Sequence, residues 1–133
     1  MSERQSKPAV QEAHIARGGL RTFFNIARDW NLDADQAMRL LGLTSRSTYF
    51  KWKKDPASAR LSPDTLERLS YIFGIYKNLQ ILLPKPESAD RWVHRPNKAV
   101  PFGGQPALER MLAGHVADLY VVRQYLDAQR GWS

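Results

Sequence analysis

At 133 residues the chain can bury a core without help from metal or disulfide, as one domain or as two small units that share it. It has no cysteine, which excludes disulfide frameworks, thiol catalysis and Cys-ligated zinc and fits a reducing, cytoplasmic setting. A formal charge of +7 favours a polyanionic partner, and no apolar run suits a signal peptide or a membrane span, so a soluble protein with no membrane role is expected.

Residues 1–10 are polar, contain Pro8 and read as a flexible arm. A helical pattern opens at Gln11 but is weakened by Gly18-Gly19. The firm helix is GLRTFFNIARDW, where Leu20, Phe23, Phe24, Ala27 and Trp30 recur at helical spacing. Aromatics in that register belong to a core rather than to a ligand site.

In NLDADQAMRLLGLTSRSTYFKWKKDP, Asp33 or Asp35 can cap a short helix carrying Ala37, Met38, Leu40 and Leu41. Gly42 suits the left-handed position that ends it, and Leu43 plugs the turn. Thr44 or Ser45 caps a second short helix that stops by Asp55-Pro56. Two brief helices around a glycine turn describe a helix-turn-helix, placed here in a unit spanning residues 11–61. Against the commonest spacing the inward aromatic falls one residue late, so residues 44–47 hold one extra residue.

Tyr49 and Trp52, three apart, face inward with Leu43. Ser45, Arg46, Ser47, Thr48, Phe50, Lys51 and Lys54 are then the candidate DNA-binding residues. Arg reads guanine edges bidentately, Ser and Thr meet bases or phosphates, and Lys neutralises phosphates. The basic excess is local: Arg46, Lys51, Lys53, Lys54 and Arg60 oppose the single Asp55. A solvated basic helix would carry the same charges.

Residues 62–84, SPDTLERLSYIFGIYKNLQILLP, predict the organising helix. Ser62 suits the N-cap, Pro63 the first helical position, and Asp64 and Glu67 the positive end of the dipole. About 21 residues at 1.5 Å each give a rod of roughly 31 Å, ending at Leu82-Leu83-Pro84. Leu66, Leu69, Phe73, Tyr76 and Leu83 form one apolar stripe, and Ile72, Ile75, Leu79 and Leu82 a second. Such a helix must be covered on more than one side. Residues 62–83 are therefore expected to be shared by the two units, with dimer contact as a further use.

In residues 84–133, Pro84 and Pro86 break the helix and residues 87–94 form a short one with Trp92 and Val93 on its apolar side. Asn97 is a turn former, and Phe102 between Pro101 and Gly103-Gly104 is an aromatic anchor at a sharp reversal. Pro106 opens a helix with Leu108, Met111 and Leu112 that ends or bends at Gly114. The last helix carries Val116, Leu119, Val122 and Leu126 before Gly131. No nucleophile, base and oxyanion site can be assembled. His14, His94 and His115 lack metal-ligand spacing, and PFGGQP lacks the Lys and Ser/Thr of a phosphate loop. A non-enzyme without metal or cofactor is expected.

These motifs together resemble the Xre/MbcA/ParS-like antitoxins that are paired with RES-domain toxins. The likeness runs from about residue 20 to 132. It is carried by LLGL, STYFKWK, the opening S-x-D-T-L-E-R-L and GIYKNL, then by Trp92, Pro96-Asn97, Phe102-Gly103-Gly104 with Pro106-Ala107-Leu108, V-R-x-Y-L-D and Gly131-Trp132. The resemblance implies an all-α antitoxin whose N-terminal unit binds its own operator, as a homodimer. It also implies that residues 84–133 bind an NAD-consuming RES-domain toxin and cover its active site. Toxin contacts would be drawn from Trp92, Asn97, Phe102, Gly103, Gly104, Arg130, Gly131 and Trp132. An Arg beside a Trp at the end of the chain suits a cavity that takes an anionic dinucleotide. The alternative is a stand-alone helix-turn-helix regulator whose C-terminal module only dimerises.

Overall fold

The computed structural model describes residues 7–131. It is all-α: α1 (Lys7–Asp29), α2 (Ala34–Leu41), α3 (Arg46–Lys54), a 3-10 turn (Pro56–Ser58), α4 (Pro63–Leu82), α5 (Pro86–Arg91), a second 3-10 turn (Trp92–His94), α6 (Ala107–Met111) and α7 (Val116–Gln129). Pairing of β type among the described residues is limited to an isolated bridge between Pro96 and Pro106. No helix among the described residues is long and apolar enough to cross a membrane.

Two expectations for the N-terminal stretch change. The polar arm assigned to residues 1–10 is helical from Lys7 onward, and α1 passes Gly18-Gly19 unbroken. Each glycine costs a helix about 1 kcal/mol. Against that, Ala16, Leu20, Phe23, Ile26 and Trp30 are buried on one face, and a fully buried large apolar side chain contributes roughly 1.5–3 kcal/mol. Packing therefore outweighs propensity. The helix stops where Asn31 takes a left-handed φ of 55°, with Asn31 N–H donating to Arg28 C=O and Leu32 N–H to Ala27 C=O. That double bond closes a helix end efficiently.

The other caps are local, and the structure chooses among the alternatives. Asp33, rather than Asp35, caps α2: its Oδ1 accepts from Gln36 N–H at 2.8 Å while Gln36 Oε1 accepts from Asp33 N–H at 3.0 Å. Gly42 ends α2 at φ 76°, and Leu43 N–H donates to Met38 C=O. Ser45, rather than Thr44, caps α3 by accepting from Thr48 N–H at 3.2 Å. Ser62 caps α4 by accepting from Thr65 N–H at 3.1 Å, with Pro63 in the first turn.

α4 buries Leu69, Ile72, Ile75 and Leu79, while Phe73, Tyr76, Leu82 and Leu83 pack partly against the core. Leu66 departs from its predicted stripe and stands 42 % exposed. The most extensive helix pairing is α4 with α7, and Gly74 permits it: a Cβ there would lie 2.3 Å from Arg123 Nε. One apolar core runs through both halves of the chain, from Ala16 and Phe23 to Met111 and Leu126.

Polar bonds also tie distant parts of the chain together. The buried Arg68 guanidinium donates to Asp64 Oδ2 at 2.7 Å, Arg39 C=O at 3.4 Å and Gly114 C=O at 3.0 Å. Arg39 in turn donates to Leu112 C=O at 3.1 Å. His94 Nε2 lies 2.5 Å from Trp30 C=O, and the buried Asn78 joins Asp127 Oδ1 (2.8 Å) to Arg130 Nη1 (2.9 Å).

Candidate nucleic-acid and partner interfaces

α3 separates its residues by face, as a nine-residue amphipathic helix must. Tyr49 and Trp52 are 3 % and 8 % exposed. Tyr49 meets Phe24 edge-on at 5.7 Å and Phe50 at 5.0 Å, and burial, followed by the charge of Asp33, raises its phenol pKa. The opposite face exposes Ser45, Arg46, Ser47, Phe50, Lys51 and Lys54, with Thr48 half-buried.

Several of these side chains are already engaged. Arg46 Nη1 pairs with Asp35 Oδ1 at 2.5 Å and its guanidinium lies 5.4 Å from the centre of the Phe50 ring. Both partners of the ion pair are largely exposed, so it contributes at most about 1 kcal/mol and can be exchanged for a base edge or a phosphate. The Ser45 hydroxyl is 3.0 Å from that of Ser47 while also capping the helix. Lys51 and Lys54 have no ion-pair partner among the described residues. The sequence reading missed Asp35 as a partner of Arg46, because the pair bridges two helices.

The candidate partner residues fall into two groups. The first lies on the loop of residues 97–105 and the turn before it. Asn97 Oδ1 accepts from Ala99 N–H at 2.9 Å, its N–H donates to Gln105 C=O at 3.1 Å, and its C=O accepts from Gly104 N–H at 2.8 Å. Gly103 and Gly104 take left-handed φ values of 57° and 91° and are exposed, as is Val100 at 95 %. Arg110 steadies the loop from α6, donating to Pro101 C=O at 3.1 Å and to Asp118 Oδ1 at 2.8 Å.

Phe102 points the other way. It is 5 % exposed and meets Tyr125 at 5.2 Å and Trp92 at 5.9 Å edge-on, while Trp92 stacks on Tyr125 at 6.3 Å. As expected for an aromatic anchor, Phe102 holds the loop down, and it presents almost no surface to a partner. Trp92 keeps part of its surface open. The second group closes α7: Arg130 reaches Asn78, Gly131 follows at φ 88°, and Trp132 lies outside the described residues. Among the described residues no three His, Asp or Glu side chains cluster as a metal site.

Comparisons with known proteins match two successive stretches of the chain. Residues 11–74 match the family described as the antitoxin Xre-like helix-turn-helix domain, and residues 78–131 match the antitoxin Xre/MbcA/ParS C-terminal toxin-binding domain. The chain is also similar to the uncharacterized protein y4oB of Sinorhizobium fredii (strain NBRC 101917 / NGR234), with 51 % identity over 128 residues, covering 96 % of this chain and 95 % of that one.

Proposed function

Because the chain belongs to the Xre/MbcA/ParS antitoxin family, we propose that it neutralises a RES-domain, NAD-degrading toxin by covering its active site, and represses its own operon by binding operator DNA. The observation that supports this reading is that two separate exposed surfaces stand on one continuous core. The basic face of α3 lies on one unit, and the exposed Gly103-Gly104 turn with the end of α7 lies on the other. On this reading the chain acts at both surfaces by shape and charge.

Of the residues carried over from the resemblance, Asn97, Gly103, Gly104 and the open part of Trp92 are the loop contacts. Arg130, Gly131 and Trp132 approach the toxin's nucleotide site. Phe102 supports these residues from beneath. A homodimer is supported by an apolar groove of about 300 Å³ lined by Ile15, Gly19, Leu61, Leu66, Leu69 and Phe73, among which Ile15 is 57 % exposed. Covering that groove with a second copy removes apolar surface from water.

The deciding experiment is co-expression with the protein encoded by the neighbouring reading frame. Co-purification and restored growth are expected, whereas free toxicity in the presence of folded protein would overturn the antitoxin reading. DNA binding is tested separately. Changing Arg46, Lys51 and Lys54 together to Ala should weaken operator binding and flatten its salt dependence by roughly one log-log unit per lost phosphate contact. An unchanged slope would move the DNA surface away from α3.

A further inference from the structure

Arg21, Asn25 and Lys53 have no role in the face of α3 described above, yet the fold sets them side by side. They line a shallow groove of about 430 Å³ together with Phe24, Lys54 and Pro56. Arg21 and Asn25 stand one turn apart on α1, and Lys53 and Lys54 come from the last turn of α3. Phe24 between them is half-buried and held edge-on against Tyr49, which gives the groove a firm floor.

All four polar side chains are exposed, and none of the three cations has an ion-pair partner among the described residues. Exposed cations without an ion pair, such as Lys51 and Lys85, also occur elsewhere among the described residues, but here two helices bring three of them to one groove. The carboxylate nearest in sequence is Asp55, directly after Lys54. Lysines in the last turn of a helix complement its dipole, which accounts for Lys53 and Lys54. It does not account for Arg21, which comes from the middle of another helix. Cations converging on one groove repel one another, and an anion placed between them relieves that repulsion.

We propose that this groove seats a backbone phosphate of duplex DNA, so that α1 and the C-terminal end of α3 grip the strand flanking the major groove that α3 enters. This rests on the DNA-binding reading of α3. Length supports it: α3 has nine residues, about 13.5 Å at 1.5 Å each, against a major groove about 12 Å wide. A helix of that span brings its far end close to the bounding phosphates. Arg21, Lys53 and Lys54 supply the charge, and Asn25 an amide N–H donor. Seat residues hold register without reading sequence.

The test uses the full chain and fluorescence anisotropy on two duplexes of about 30 base pairs, one taken from immediately upstream of its own reading frame and one of arbitrary sequence, between about 50 and 200 mM salt. Removing two phosphate contacts with Arg21→Gln and Lys53→Gln should lower the log-log slope by about 1.8, equivalent to roughly 12-fold less affinity loss across that range, on both duplexes alike. The control pair Lys85→Gln and Lys98→Gln removes the same charge from the C-terminal module and should leave the slope near that of the unaltered protein. Arg21→Lys combined with native Lys53 should retain the slope. Asn25→Asp, which places a like charge beside the phosphate, should weaken binding and serves as the test if the double variant fails to fold. Binding to neither duplex by the unaltered protein would overturn the DNA reading and the seat together. A slope for Arg21→Gln with Lys53→Gln equal to that of the unaltered protein, or a loss matched by the control pair, would overturn the seat alone.

Discussion

α3 and the loop of residues 97–105 carry their proposed contact surfaces in opposite ways. In α3 the side chains that hold the fold, Tyr49 and Trp52, lie on one face, and the exposed polar side chains proposed to meet DNA lie on the other. In the loop the two duties alternate from residue to residue: Phe102 is buried against Trp92 and Tyr125 while its neighbours Gly103 and Gly104 are exposed. A helical surface can thus be altered without touching the core. A loop surface is only as firm as the anchor beneath it.

The largest way to break that contrast is Phe102→Ala. Emptying a buried aromatic site costs about 3–5 kcal/mol, so denaturant unfolding should show a large loss, and toxin binding should fall although Phe102 barely reaches the surface. Arg68→Met comes next, at about 2–3 kcal/mol, because it removes charged hydrogen bonds to Arg39 C=O and Gly114 C=O that join the two units. If its unfolding midpoint does not move, the guanidinium bridge contributes nothing to their union.

Gly42→Ala should cost about 1–2 kcal/mol for a left-handed residue with a side chain, and somewhat more because its Cβ would lie 2.7 Å from Arg68 Nε. Thermal unfolding measures it, and a neutral result would mean that the turn between α2 and α3 relaxes freely. A smaller effect concerns Tyr76. Burial and its hydrogen bond to Asp29 push the phenol pKa up from 10.0 to about 12. Its contribution to stability is therefore full below pH 10.0 and is lost as the pH rises through about 12. Tyr76→Phe should flatten that part of the alkaline stability curve, and an unchanged curve would assign the decline to other groups. Least of all, Lys51→Ala and Lys54→Ala should each shift stability by less than about 0.5 kcal/mol, since both are exposed without an ion-pair partner. A larger loss would mean that the exposed face of α3 also holds the fold together.

Much of the fold could be read from residues three or four apart. Ser62-Pro63 opening α4, Gly42 closing α2, and the inward pair Tyr49 and Trp52 depend on bonds and spacings within one turn of helix. The candidate sites were legible only where a helix sorted them. The exposed face of α3 followed from periodicity, but the groove between Arg21 and Lys53 joins residues 32 positions apart in sequence, and no periodic pattern links them.

By itself, then, the order of residues determined most of the helical segments, where most of them stop, and which side of α3 meets water, because those outcomes turn on short-range bonds and a fixed helical period. Tertiary packing decided the rest. It carried α1 through Gly18-Gly19, turned Phe102 inward, set Arg68 across both units and gathered unpaired cations from two helices, because each of these depends on what a distant segment brings to the same place.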